Sequence, residues 1–162
     1  MDVQRTTPES DALLQTLAEF RFELRRFLHF SENAALEEGL HPQQHQLLLQ
    51  VAGAPANTVV TIAYAAERLG LRHNSVVELV NRSENEGLLV RTTDPEDLRR
   101  VLLRLTRKGR QALERLTEDH AREIHELAPR LVQTLEQICA YEQTYAKRTA
   151  GGKQRKNAAG GQ

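Results

Sequence analysis

The chain has 162 residues, 40% hydrophobic but only 4% aromatic, with no Trp and no net charge, a length that suits one domain with at most an added arm. Its single cysteine, Cys139, excludes an intrachain disulfide and suits a reducing compartment. No apolar run nears the roughly 20 residues that span a bilayer, and the first residues are not a charged-then-apolar export signal, so a cytoplasmic protein with no membrane partner is expected.

The neutral total conceals a pattern. Residues 1–63 hold four basic and eight acidic side chains, residues 64–110 ten and seven, residues 111–146 three and seven, and residues 147–162 five and none. Positive charge gathers in the middle of the chain and at its end, while the flanks are acidic. Such asymmetry is expected of a protein that meets a polyanion with one face.

Residues 1–9 are polar and expected to fray. Ser10 or Asp11 can cap a helix to about Phe30, in which Leu13, Leu17, Phe20, Leu24, Phe27 and Leu28 form one apolar stripe. The acidic segment from Ser31 to Gly39 marks its stop. Pro42 suits the first turn of a second helix, whose buried side is Leu47, Leu48 and Val51. Residues 53–57 form a loop and Thr58–Val60 a very short strand. Thr61 is a natural N-cap for a short helix from Ile62 to Leu69. Gly70 permits a left-handed turn into the next helix, about residues 74–86, which buries Val76, Val77, Leu79 and Val80.

Residues 88–92 and 101–106 read as paired strands joined by the turn Asp94-Pro95-Glu96-Asp97. Thr106-Arg107-Lys108-Gly109 opens a long helix carrying Leu113, Leu116, His120, Ile124 and Leu127 at helical spacing. Pro129 is expected to kink this helix or restart it. Leu131, Val132, Leu135 and Ile138 continue an apolar face to about Tyr145, on which Cys139 is expected to be buried and inert. From Lys147 the composition is that of a disordered basic tail.

The expected fold class is mainly α with a small β wing. A winged helix-turn-helix over about 40–108 is flanked by dimerisation helices over about 10–30 and 109–146, together one domain over 10–146. The flanking stripes are too broad for a small reading head to cover, which argues for a symmetric homodimer. Two-fold symmetry places two recognition helices in successive major grooves of a palindrome of double-stranded DNA.

Several segments carry a family resemblance. They are Leu40-His41-Pro42-Gln43-Gln44-His45, Ala66-Glu67-Arg68-Leu69-Gly70-Leu71, Glu84-Asn85-Glu86-Gly87-Leu88-Leu89, and above all Asp94-Pro95-Glu96-Asp97-Leu98-Arg99 followed by Val101-Leu102-Leu103-Arg104-Leu105-Thr106-Arg107-Lys108-Gly109. Over about residues 10–145 the chain resembles the MarR family of bacterial winged-helix regulators. The resemblance implies a homodimeric transcription regulator, usually a repressor, bound to a short palindromic operator. It also implies release by a small aromatic or phenolic effector in a crevice between the dimerisation helices and the reading head. The chain departs from the family at Glu78 in the recognition helix, Leu98 in the wing, and His41 and His45 in the second helix.

For DNA, Arg72 and Asn74 have the chemistry to fork onto guanine and adenine. His73 and Ser75 share the helix start, where free N–H groups suit phosphate. Arg82 either reaches phosphate or pairs with Glu78. Thr61, at the head of the preceding helix, is a further candidate. In the wing, Arg99 is the candidate for minor-groove insertion, with a salt bridge to Asp94 or Asp97 as the structural alternative. Arg100 and Arg91 are candidates for phosphate.

For an effector, Phe22, Arg26, His29, Phe30 and His45 combine cations with apolar side chains, as a carboxylate-bearing aromatic requires. His41 and His45, four apart, with His29 as a third ligand, make a metal-responsive repressor an alternative. No catalytic constellation or cofactor motif is visible, so neither an enzyme nor a cofactor is expected. The rival from another class is a helical dimer whose degenerate winged module binds a protein.

Overall fold

A computed structural model describes the backbone of residues 8–158 and the side chains of Pro8 and residues 10–143. The expected frayed segment before residue 8 lies outside the described residues. Seven elements follow in order: α1 (Pro8–Glu37), α2 (Pro42–Ala52), α3 (Ile62–Leu69), α4 (His73–Asn85), β1 (Leu89–Thr93), β2 (Val101–Leu105) and α5 (Arg107–Ala158). The chain is mainly helical with one antiparallel hairpin, in the register Leu89↔Leu105 to Thr93↔Val101.

The helix ends follow from local chemistry. Helix α1 runs past the expected stop at Phe30, because Ala34, Ala35, Leu36 and Glu37 all favour helix. It ends at Gly39, where Gly39 N–H donates to Leu36 O at 3.0 Å and Leu40 N–H to Ala35 O at 2.8 Å. At α2, His41 takes the capping role. Its Nδ1 accepts from Gln43 N–H at 3.2 Å, and Gln44 Oε1 accepts from His41 N–H at 2.9 Å. Thr61 Oγ1 caps α3 by accepting from Tyr64 N–H at 3.2 Å. Thr61→Ala should therefore lower the urea-unfolding free energy by about 1 kcal/mol; an unchanged midpoint would show that the cap is dispensable.

Gly70 sits at φ 63° and turns the chain from α3 into α4. A side chain at that φ is strained, so this sharp turn depends on glycine. Glycine and capping signals thus set both ends of the helix pair that the sequence predicted.

Three expectations are corrected or narrowed. Thr58–Val60 is not a strand: it meets β2 through one bond, Leu103 N–H to Val60 O at 2.8 Å. The preceding Pro55 and the cap at Thr61 leave too little extended chain for a ladder. Of the two outcomes expected at Pro129, the restart is not seen, since α5 remains one helix. The proline removes one backbone donor, but the flanking turns hold. Cys139 is exposed, because its side of α5 has no cover among the described residues. The backbone of α5 runs on to Ala158.

The chain divides into two compact units, and both long helices contribute to each. The first is His29–Arg122. Its core joins Leu47, Leu48, Val76, Leu79, Val80, Leu89 and Leu103, all at or under 2% exposure, with Ala112 and Leu116 of α5. It is the reading head plus the segments of α1 and α5 that hold it.

The second unit pairs the α1 segment ending at Leu28 with the α5 segment starting at Glu123. Buried Glu23 anchors it. Arg130 donates to Glu23 Oε1 at 3.0 Å, and Arg26 lies 3.4 Å from Oε2 and 3.5 Å from Glu123. Many of its large apolar side chains stay exposed, among them Leu14, Phe22, Leu24, Ile124, Val132 and Leu135.

Candidate nucleic-acid interface

Helix α4 is two-faced. Val76, Leu79, Val80 and Ser83 are buried, while Arg72, His73, Asn74, Ser75, Glu78, Asn81 and Arg82 are exposed. The buried hydroxyl of Ser83 donates back to Leu79 O at 2.9 Å, so the apolar face carries no orphan donor there. At the helix start Arg72 occupies the N-cap in extended backbone, and no side chain caps the first turn. The first N–H groups of α4 therefore keep their donors outward, next to the Arg72 guanidinium. Among the described residues, neither Arg72 nor Arg82 forms an ion pair. Glu78 and Arg82, one turn apart, do not pair.

In the wing, Asp94 is the organising group. It is buried, accepts from Glu96 N–H at 2.9 Å through Oδ1, and its own N–H donates to Arg100 O at 3.0 Å. The Arg100 guanidinium lies 3.1 Å from Asp97 and 3.7 Å from Asp94. The salt bridge to Asp94 or Asp97 that was the structural alternative for Arg99 is made by its neighbour instead. Arg100, rather than Arg99, shapes the turn, and the Arg99 side chain is exposed with no ion pair among the described residues. Arg99 contributes its amide to Asp97 Oδ1 at 3.1 Å, which fixes its backbone and leaves its guanidinium outward.

Arg91, the other phosphate candidate of the wing, is not free. It is engaged by Glu84 and Asn81 of α4. Thr61 uses an oxygen lone pair for its cap, which leaves its hydroxyl proton to donate outward.

The effector candidates are scattered. Phe22 and Arg26 belong to the second unit, Phe22 exposed and Arg26 held between two carboxylates. His29 is exposed and bonded to Asn33 at 3.2 Å. Phe30 and His45 do come together, around His120, which helical spacing places on the apolar stripe of α5. The His120 ring packs 4.8 Å from His45 and meets Phe30 edge-on at 5.6 Å, centroid to centroid.

Geometry places a proton on one nitrogen of His120. Leu116 O can only accept, so Nδ1 carries a proton at 2.6 Å, while Nε2 and the buried Ser31 hydroxyl, 2.8 Å apart, share the second hydrogen bond. His45 is 3% exposed and its Nδ1 has no hydrogen-bond partner. Burial, helped by the neighbouring His120, pushes the His45 imidazole down to about 4. Helical periodicity alone already placed His120 inward; only its partner was hidden.

With His41 used as a cap, His45 buried and His29 turned to Asn33, the three do not converge. Among the described residues no group of three His, Cys, Asp or Glu side chains is placed to hold a metal ion. A cleft of about 520 Å³ opens beside the wing, between the end of α2, residues 58–60 and β2, and Arg104 and Arg110 are its cations. None of the five effector candidates lines it.

Known proteins share this arrangement. Residues 38–100 match the model of the MarR family. A candidate transcriptional regulatory protein for the hcr operon of Thauera aromatica is 33% identical over 118 residues, covering 70% of this chain and 69% of that protein. A mutant of MepR from S. aureus, solved bound to an oligodeoxyribonucleotide, is similar with a TM-score of 0.57 and 20% identity, over 80% of this chain and 94% of that one. CouR from Rhodococcus jostii, solved with p-coumaroyl-CoA, is similar with a TM-score of 0.55 and 24% identity, over 70% and 83% of the two chains. The two solved structures share the fold; the Thauera relative, with the family match across the reading head, carries the assignment. The chain belongs to the MarR family of winged-helix, DNA-binding transcriptional regulators.

Proposed function

We propose that this protein is a cytoplasmic homodimeric repressor that holds a palindromic operator and releases it when a small aromatic effector binds. The observation that carries the DNA half is the outer face of α4. Unpaired Arg72, Asn74, Ser75 and an uncapped first turn stand together on it, with a second unpaired arginine, Arg99, on the wing. Arginine fits guanine in the major groove, and a wing arginine suits a narrow minor groove. The exposed apolar side chains of the second unit support the dimer, since a monomer would leave Leu14, Leu24, Val132 and Leu135 in water.

The effector half rests on the Phe30–His45–His120 group. A buried, unpartnered imidazole nitrogen beside aromatic rings suits a phenolic hydroxyl or a thioester carbonyl. CouR holding p-coumaroyl-CoA makes an aromatic acyl thioester a sensible first compound to test. An effector would act by favouring a dimer spacing that mismatches the operator.

The test is fluorescence anisotropy on the DNA upstream of the protein's own reading frame, with salt and random competitor titrated. Tight binding that resists competitor is expected. Arg72→Ala should weaken it by about 1–3 kcal/mol and relax the sequence preference, and Arg99→Ala should lower the affinity on A·T-flanked sites. Binding that random DNA abolishes, or that ignores both substitutions, would move the reading to a protein partner for the winged module.

A further inference from the structure

Arg91 opens the wing hairpin beside α4, and its charge by itself suggests a phosphate ligand. Its bonds say otherwise. The backbone N–H donates to Glu84 Oε1 at 3.1 Å, Nη1 donates to Glu84 Oε2, and Nη2 donates to Asn81 Oδ1 at 2.6 Å. Asn81 and Glu84 are one turn apart on α4, so three donors of one wing residue meet one face of the recognition helix.

The register explains why Glu84 takes the amide. Leu103, the partner of Arg91 across the hairpin, turns its N–H away from β1 towards Val60 O. In an antiparallel ladder both residues of such a pair turn their backbone groups outward. The Arg91 N–H therefore lies on the open edge of β1, and the Glu84 carboxylate satisfies it. The same carboxylate neutralises the guanidinium, which makes Arg91 a poor ligand for phosphate. Arginine only donates, so the Asn81 oxygen must face it. The Asn81 amide then presents its NH2 outward on the exposed side of α4, near Arg82 and Glu78.

We propose that Arg91 is a positioning residue for DNA reading, which ties α4 to β1 through Glu84 and Asn81 so that recognition helix and wing meet the duplex as one piece. The chain between them is only residues 86–88, so the clamp adds a side-chain tie on the exposed side of a short junction whose inner side Leu88 holds in the core. The clamp sets the angle between the α4 face and Arg99, and it orients the Asn81 amide. This rests on the reading of α4 and the wing as the DNA-binding face.

The experiment uses the full chain with Arg91→Ala, Arg91→Lys, Glu84→Gln and the double variant Arg91→Ala/Glu84→Gln. Affinity is measured for the upstream duplex and a random duplex across a salt series. The ratio of specific to random affinity should fall about tenfold or more in Arg91→Ala, with the slope of log affinity against log salt unchanged, because no phosphate contact is lost. Glu84→Gln, which keeps shape, should lower the ratio in the same direction, and the double variant should lose no more than Arg91→Ala. Arg91→Lys should not restore the ratio, since an ammonium cannot fork. A salt slope reduced by about one, with additive effects at Glu84, would make Arg91 a phosphate contact and overturn the proposal. So would an unchanged affinity ratio.

Hydrogen exchange in the free protein separates this from the functional reading. Arg91→Ala should speed amide exchange over residues 79–85. If the native chain fails to discriminate between the duplexes, the DNA reading fails, and exchange alone decides the clamp. Unchanged exchange there would overturn it.

Discussion

Gly109→Ala is expected to destabilise the reading head by about 3 kcal/mol or more and to abolish DNA binding with it. A Cβ at this position would stand 1.9 Å from Leu88 O, 2.9 Å from its carbonyl carbon and 3.3 Å from its Cα. These are backbone atoms, so no rotamer change relieves the clash. Leu88 cannot retreat either. It is 2% exposed in the core, its carbonyl accepts from Thr106 N–H at 3.1 Å, and the Thr106 hydroxyl donates to the neighbouring Gly87 O at 2.6 Å.

The same few residues stitch the end of α4 to the start of α5. Thr106 Oγ1 accepts from Gly109 N–H at 3.1 Å as the cap of α5, and Lys108 Nζ donates to Glu86 O at 2.7 Å at the end of α4. Forcing Gly109 away from Leu88 would strain this whole junction. The measurement is urea unfolding of the variant beside the native chain. A change below about 1 kcal/mol would mean that the junction yields, and that glycine is not required there.

Stability should also fall as the solution is acidified from pH 7 to 5, by about 2 kcal/mol from His45 alone. In the folded chain this imidazole is held down to about 4, against 6.5 for the ordinary group. The unfolded chain therefore binds the proton first. The stability of the neutral, buried ring is fully present above about pH 6.5 and is lost as pH falls towards 4. Repeating urea unfolding at pH 7, 6 and 5 with His45→Leu isolates the effect. Leucine fills a similar volume without a titratable nitrogen, so the variant should lose about 2 kcal/mol less over the window. An equal loss in both proteins would assign the acid sensitivity elsewhere.

Much of the architecture was legible before any coordinates. The Thr61 cap, the Gly70 turn, Pro42 at the first turn of α2 and the Thr106–Gly109 opening of α5 are short-range signals, set by residues at most four apart. The hairpin partners and the buried face of α4 followed from periodicity, except that Val77 is only half-buried. The boundary of α1 did not, because an acidic segment can be helical or loop, and only the Gly39 stop distinguishes them.

The site divides along the same line. The sequence alone determined that arginines would crowd the wing and the head of α4, since composition and the turn residues place them there. It did not determine which of Arg91, Arg99 and Arg100 stays free, because all three carry the same charge within ten residues. Strand register decided that: it turned the Arg91 amide to the open edge beside Glu84, folded Arg100 over buried Asp94, and left Arg99 outward. Tertiary packing likewise brought His120 of α5 against His45 of α2, 75 positions away in the chain. Local propensity carries no information at that separation; only the burial of both faces in one core makes the two rings neighbours.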